Sequence, residues 1–496
     1  MNKFHTILFF LLTTSTLLAQ NVNPDQDEIY RPREVAKIWL TMSKTDSSTL
    51  FHPDNVYSDE YLRAEFQFKN SVIDEVLAED VGIRFRGNTS RTQPKKSFKL
   101  KFKEFGGEKF YDHKKFNLKA ENNDPSIVRE HLSMEAFRDA NIPAARTHHV
   151  ELFLNGEYIG IYLNVEQLDD EFVASRFDDD SGNLYKCSYG ATMEDNGQYT
   201  DNGLYEIEIN EDINDRSILD NFIDVLNNTS SSNFRTEIEK VFNVDSYLRY
   251  LALEALLGHW DGYSYNQNNF YLYENPVTGL VEFIPYDTDN TFGIDWVSRD
   301  WATRDVLDWP RHGSERPLTK KILAQDEYFE RYRRIMYGML QEKFNSDYYN
   351  PVFEQYQELL SASVEADPTF SLTFGFSHND FENSIDQQVA GHVPYGLKPY
   401  IAARTSSALS QIGQITATSP YQNSLFRIYP VPSDGQFIMI ESLGEVNKIT
   451  LFDMSGRSHD YDLISNNGQT YKLSFDLVEG AYLVKINERV ERILVK

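Results

Sequence analysis

Three aspartates and a cluster of asparagines carry the chemistry within reach of this sequence. His259-Trp-Asp261 follows an apolar helical stretch and opens a loop dense in Gly, Ser and Asn, with Asn266, Asn268 and Asn269. A strand from Phe270 to Tyr273, a turn at Asn275-Pro-Val-Thr-Gly279 and a returning strand from Leu280 to Ile284 come next. That strand runs straight into Asp287-Thr-Asp289 and Phe292-Gly293. A hairpin between two loops brings both loops to one end of a sheet. Phosphoryl transfer suits such an arrangement, because it needs little covalent help and much positioning. One carboxylate takes the proton of the attacking hydroxyl, and oxygen ligands hold Mg²⁺ against the phosphates. Asp261 is the candidate base. Asp287 and Asp289 are hard-oxygen metal ligands, and Asn266 or Asn269 is placed to complete the shell. Asp-x-Asp alone also caps loops; the order of helix, Asn-rich loop, hairpin and second acidic loop favours function.

A phosphate-binding partner for these acids lies far upstream. The chain carries 76 Asp and Glu against 48 Lys and Arg, a net charge of −28, yet residues 83–119 hold 12 Lys and Arg against 3 acids, a local +9. Arg84-Phe-Arg86-Gly-Asn-Thr-Ser90-Arg91 reads as a polar turn between strands, and Pro94-Lys95-Lys96 opens the second strand. A strand lysine with donors from a turn, here the one from Arg86 to Ser90, is what a nucleotide's phosphates require. Lys99, Lys101 and Lys103 read as the solvent face of that strand. Glu166 is placed to pair with Lys96, to ligate metal, or to make a purely structural pair. Neither G-x-G-x-x-G nor G-x-x-x-x-G-K-[ST] is present.

The elements that must position these residues are legible in part. Leu62, Ala64, Phe66 and Phe68 alternate with polar residues as a half-buried strand does, and Phe98, Leu100 and Phe102 alternate with lysines. Asp124-Pro125 predicts a helix start, with an apolar stripe through Ala140. Asn155-Gly156 between two apolar runs predicts a type I′ hairpin. Residues 171–210 read as an acidic, loop-rich inter-lobe segment. Helices are expected at 216–226 and 245–257, then more helix to about Ser410. Ser406 to Ser419 reads as a small, polar linker. Beyond Ser424, five short strands separated by turns predict a small β-sandwich.

Composition narrows the class. An acidic chain of 496 residues is a poor nucleic-acid binder, and it has length for several domains. Its single cysteine, Cys187, allows no intrachain disulfide and reads as core. His148-His149 puts neighbouring rings on opposite strand faces, against a shared metal. Residues 1–19 have the charged start, apolar run and Leu-Leu-Ala19 end of a signal peptide, and no other stretch is apolar enough to span a membrane. The 68 Phe, Tyr and Trp residues leave carbohydrate binding open, and two carboxylates acting on a glycosidic bond would need a sugar cleft that nothing here specifies.

From Val35 to about Ser410 the chain resembles the CotH kinase family of spore-coat-type proteins. The likeness rests on Arg86-Gly-Asn-Thr-Ser90…Pro94-Lys-Lys-Ser-Phe98, Asp124…Arg129, Asn155-Gly-Glu-Tyr-Ile-Gly-Ile-Tyr162…Glu166, His259-Trp-Asp261…Asn268-Asn-Phe-Tyr-Leu-Tyr273 and Pro285-Tyr-Asp287-Thr-Asp289-Asn-Thr-Phe-Gly293. Tyr286 stands where the family usually has Trp. The resemblance implies an atypical two-lobed kinase fold, α+β, over residues 30–410, and Mg²⁺- (or Mn²⁺-) and ATP-dependent phosphorylation of protein Ser/Thr. It casts Lys96 as the phosphate lysine, Asp261 in the catalytic step, and Asp289 or Asp287 on the metal. After a linker at 411–423, residues 424–496 resemble the type IX secretion sorting domain of Bacteroidota, through Tyr429-Pro-Val-Pro-Ser-Asp-Gly435, Ile449-Thr-Leu-Phe-Asp-Met-Ser-Gly-Arg457 and Gly480-Ala-Tyr-Leu-Val-Lys485. That implies handling by the secretion machinery, removal of the tail and a place outside the cell. The alternative from another class is a surface adhesin or scaffold that keeps the fold without the chemistry.

Overall fold

A computed structural model describes residues 22–413 except 26, 75, 196–202 and 314. It also describes 426–429, 433, 436–442, 446, 448–453, 457–466, 470–478, 480–487 and 489–495. The signal segment at 1–19 and all but the first residues of the 411–423 linker lie outside these. The chain is α+β and divides into two compact units, Val22–Ser424 and Leu425–Lys496.

The first unit begins with a closed barrel. Its strands are β1 (Val35–Thr41), β2 (Leu62–Lys69), β3 (Val76–Phe85), β4 (Phe98–Lys101), β5 (Lys115–Lys119), β6 (Thr147–Leu154) and β7 (Glu157–Val165), in the order β1-β2-β3-β4-β5-β7-β6. All pairings are antiparallel except β1 with β6, which closes the ring. Period-2 patterning decides which residues fill it: Phe66, Phe85, Phe98, Leu100, Phe116 and Leu118 point inward into one buried cluster. The partners in register on the outer face are Arg84 opposite Lys99 and Lys99 opposite Asn117. The β6–β7 turn holds Asn155 at φ 50° and Gly156 at φ 87°, the two left-handed positions a type I′ turn requires. Helix α1 (Lys44–Leu50) follows β1, and α2 (Arg129–Asp139) lies between β5 and β6.

The rest of this unit is helical around a small sheet. In chain order come α3 (Asp170–Ala174), β8 (Leu184–Cys187), β9 (Tyr205–Ile209), α4 (Ser217–Asn228), α5 (Phe234–Ile238), α6 (Val244–Leu257), α7 (Tyr263–Asn266), β10 (Phe270–Asn275) and β11 (Leu280–Pro285). They are followed by α8 (Pro317–Leu323), α9 (Asp326–Glu342), α10 (Ser346–Glu365), α11 (His378–Asn383) and α12 (Leu397–Ile412). The sheet runs β11-β10-β8-β9. The outer edge of β11 is covered by the segment at 241–243, through Asn243 N to Val281 O (3.1 Å) and Val281 N to Val241 O (2.9 Å). α6 is buried nearly all round and packs on α9, α2 and α12, which makes it the central helix.

Three expectations are corrected here. The helix expected at Asp124-Pro125 starts at Arg129. The Asp124 carboxylate accepts the amides of Ser126, Val128 and Arg129 (2.8, 3.0 and 2.9 Å), which winds the intervening residues into a turn with Ile127 at φ 52°. Residues 171–210 are not only loop: β8 and β9 complete the sheet, and the alternation of Tyr205, Ile207 and Ile209 with Glu206 and Glu208 is their sequence trace. Ser406 to Ile412 is the last part of α12 rather than linker, held by buried Ala408 and Ile412. The unit also reaches further N-terminal than residue 30. Asn23 donates to the Ile142 carbonyl (2.7 Å), and Asp27 accepts from Arg146 (2.6 Å).

The second unit has eight strands: β12 (Phe426–Tyr429), β13 (Phe437–Ser442), β14 (Ile449–Asp453), β15 (Ser458–His459), β16 (Asp462–Asn466), β17 (Thr470–Ser474), β18 (Gly480–Ile486) and β19 (Arg489–Val495). Two four-stranded sheets, β12-β13-β17-β16 and β15-β14-β18-β19, share one core that includes Ile438, Ile440, Leu473, Val484 and Ile493. The five expected strands are present, and β15, β16 and β19 are additional. Among the described residues no helix is long and apolar enough to cross a membrane.

Candidate active site

α6 ends at Leu257 on Gly258, whose φ of 68° turns the chain sharply into His259-Trp-Asp261. One short helix later the chain passes Asn269 and enters β10. β11 leaves the sheet beside it, and the Tyr286 amide donates to the Asn269 carbonyl (3.1 Å). The hairpin therefore does bring the two loops together. Asp261 sits in a nest of side-chain amides: Asn266, Asn269 (3.0 Å), Asn290 (3.4 Å) and, more loosely, Asn268 (3.5 Å) all donate to its carboxylate. Burial pushes its pKa up to about 6, the amides oppose that rise, and the charge of Asp287 adds to it. Asn290 also donates to Asp289 (2.8 Å), so one amide joins both acids. Asn266 and Asn269 point their nitrogens at Asp261, which leaves their Oδ1 atoms as the ones a cation could use.

Across from these loops stands a lysine that the sequence reading did not single out. Lys119, the last residue of β5, donates to Glu130 in the first turn of α2 and to Asp287 (2.6 Å), and lies 3.9 Å from Glu121. Burial would lower its pKa, but Asp287 and Glu130 outweigh burial and hold it well above the ordinary lysine range. The same contacts decide Asp287. Burial raises its pKa, and the charge and hydrogen bond of Lys119 more than reverse that. On Asp289 and Glu121 the charge of Lys119 acts in the same direction but does not prevail, and burial with neighbouring carboxylates drives both well above their ordinary values. Arg86 reaches the same place, donating to the Tyr286 hydroxyl (3.0 Å). A signal for Lys119 existed: it ends the strand that precedes a helix carrying Glu130 in its first turn.

The other expected ligands fall elsewhere. Lys96 donates to the Arg91 carbonyl (2.6 Å) and lies over the Phe85 ring, so it ties its own loop rather than facing the acids. Ser90 packs its hydroxyl where a side chain on Gly87 would stand, 1.9 Å from an ideal Cβ, so Gly87 at φ 101° admits only glycine. Glu166 neither pairs with Lys96 nor joins the acids. Arg146 (3.1 Å) and Arg176 (2.6 Å) hold its two oxygens, and although burial raises its pKa, they bring it down to about 2.

Whether these residues suit a divalent cation can be judged from their chemistry. All the donors are hard oxygens, carboxylates outnumber cations, and both Glu121 oxygens and the Thr288 hydroxyl are buried without a hydrogen-bond partner. Among the described residues no three His, Cys, Asp or Glu side chains already form a metal cage. The fit is to an ion that arrives with oxygens of its own, as Mg²⁺ does on phosphates.

The model of the CotH kinase protein family matches residues 83–407, and that of a secretion system C-terminal sorting domain matches residues 427–496. The chain belongs to the CotH kinase family. Among its CotH relatives, inner spore coat protein H of Bacillus subtilis is 29% identical over 61% of this chain and 81% of its own length. Invasin CotH2 of Rhizopus delemar is 23% identical over 61% of this chain, and spore coat protein homolog 1 of the same fungus is 24% identical. The chain spans about half the length of these two fungal CotH proteins. The type IX sorting domain behind the CotH region marks the protein for the cell surface or secretion.

Proposed function

We propose that this site transfers the γ-phosphoryl group of ATP to Ser or Thr hydroxyls of a protein. The observation that carries the reading is Lys119, bridging Glu130 and Asp287 beside the amide-held carboxylate of Asp261. In the step, the acceptor oxygen bonds to the γ-phosphorus while the bond to the β–γ bridging oxygen breaks. ADP leaves with that electron pair, and the hydroxyl proton passes to Asp261. A carboxylate with a pKa of about 6 is ionised at neutral pH yet more basic than an ordinary aspartate. Lys119, rather than Lys96, takes the phosphate chain, with Arg86 beside it and Glu130 fixing its position. Asp287 and Asp289, with the Oδ1 of Asn266 or Asn269, hold Mg²⁺ (or Mn²⁺). The bound metal neutralises charge on the phosphates. In this reading the barrel with α2 is the smaller lobe of a kinase-like fold and the helical part is the larger, and the tail from 424 is removed on secretion.

The second reading is a silent surface adhesin on the same fold, and the name invasin borne by one of the fungal relatives favours it. The two separate on incubation of the protein with labelled ATP, Mg²⁺ or Mn²⁺, and casein or its own chain. Transfer that disappears in Asp261→Asn and Asp289→Asn supports the kinase. No transfer, or equal transfer in both folded variants, sinks it.

A further inference from the structure

The outer face of β3, β4 and β5 is built in rows. Arg86 donates its amide to the Ser97 carbonyl (3.0 Å), continuing the ladder one residue beyond β3, and Lys119 closes the same end of β5. The next row is Arg84, Lys99 and Asn117, and the one after it ends in Lys101 and Lys115. Successive rows lie two strand residues, or about 7 Å, apart. Like charges directly opposite each other destabilise a sheet, and both Arg84–Lys99 and Lys101–Lys115 are such pairs. Most of these cations have local answers: Arg84 has Asp59 (2.6 Å), Lys101 has Glu104 (2.6 Å) and Lys115 has Asp169 (3.1 Å).

Lys99 has none. Among the described residues its ammonium makes neither an ion pair nor a hydrogen bond, although it is only part-exposed and not the open solvent residue its alternation suggests. Burial, with Lys115, Arg86 and Arg84 around it and Glu208 of β9 as the opposing charge, holds its pKa down to about 7. A half-buried ammonium among cations is costly unless an anion joins it.

We propose that this face is a phosphate track, with Lys119 and Arg86 at its inner end and Lys99 as the ligand of a phosphate further from the reacting centre. The occupant is a polyphosphate chain, so the nucleotide lies along β3–β5 with its nucleoside beyond the Lys99 row. This rests on the phosphoryl-transfer reading and adds to it the course of the triphosphate and a second lysine.

The test is titration calorimetry of the full chain with inorganic tripolyphosphate, Mg²⁺-ATP and adenosine, for wild type, Lys99→Met, Lys99→Arg and the control Lys103→Ala. A charge-assisted contact predicts that Lys99→Met weakens both anions roughly ten- to a hundredfold. Lys99→Arg and Lys103→Ala should stay near wild type. Wild-type affinity for tripolyphosphate should also fall, relative to Lys99→Arg, as pH rises through about 7, because only the ammonium form binds. Tripolyphosphate binding that depends on Lys99, without ATP binding, would support the track and remove the nucleotide. Anion binding unchanged in folded Lys99→Met, or no anion binding by wild type, overturns the proposal.

Discussion

In the proposed reaction Asp261 and Lys119 divide the labour of the site, and separate substitutions should show it. Asp261→Asn keeps the shape and removes the proton acceptor, so phosphoryl transfer should fall about 10²- to 10⁴-fold while Mg²⁺-ATP affinity by calorimetry changes little. Lys119→Ala should do the reverse in part, weakening ATP binding because Asp287 and Glu130 are left without their common cation. An equal loss of affinity in both variants would contradict the roles given. That the two loops meet was legible, because they are close in sequence and joined by one hairpin; that side-chain amides hold Asp261 was not. Lys119 was not, since a strand-end lysine among twelve cations is singled out only by Glu130 and Asp287, the second 168 residues away. Of the three readings open for Glu166 the structural pair is the one found, and it was not decidable from sequence for the same reason: the arginines that neutralise it are 20 residues upstream and 10 downstream.

Elements read well where one local rule decides them and badly where a partner does. The Asn155-Gly156 hairpin and α6 follow from turn chemistry and periodicity, whereas β8 is a four-residue strand that exists because β9 and β10 flank it. α6 also carries a pH liability. Glu254 is fully buried, accepts from the Tyr250 hydroxyl (3.0 Å) and the Ser264 amide (3.2 Å), and burial raises its pKa to about 7. The folded state therefore keeps a proton that the unfolded chain has released above pH 4.5, so this residue's contribution falls as pH rises from 4.5 to 7, by roughly 3 kcal/mol at most. Glu254→Gln should remove that slope: compared with wild type, its urea midpoint should gain from pH 5 to pH 8. A difference between the two proteins that stays constant over this range would refute the assignment.

At the scale of the whole first unit, the barrel is pinned to the helical part by one fully buried ion pair. Lys95, in the β3–β4 loop, meets Asp367 just after α10 (2.8 Å), with both side chains at zero exposure, and Asp367 also accepts the Ile161 amide (3.0 Å). Removing one partner strands the other, so Lys95→Ala should destabilise this unit by about 3–5 kcal/mol. Because the sorting domain has its own core, calorimetry of the full chain should show that loss in one transition and leave a second unmoved. The closed barrel has a further consequence for a chain bound for the cell exterior. A ring of strands offers no free edge for another chain to pair with. In the remaining sheet of this unit, β11 is covered by residues 241–243 and β9 carries Glu206 and Glu208. This unit thus presents few free strand edges from which intermolecular β-aggregates could grow.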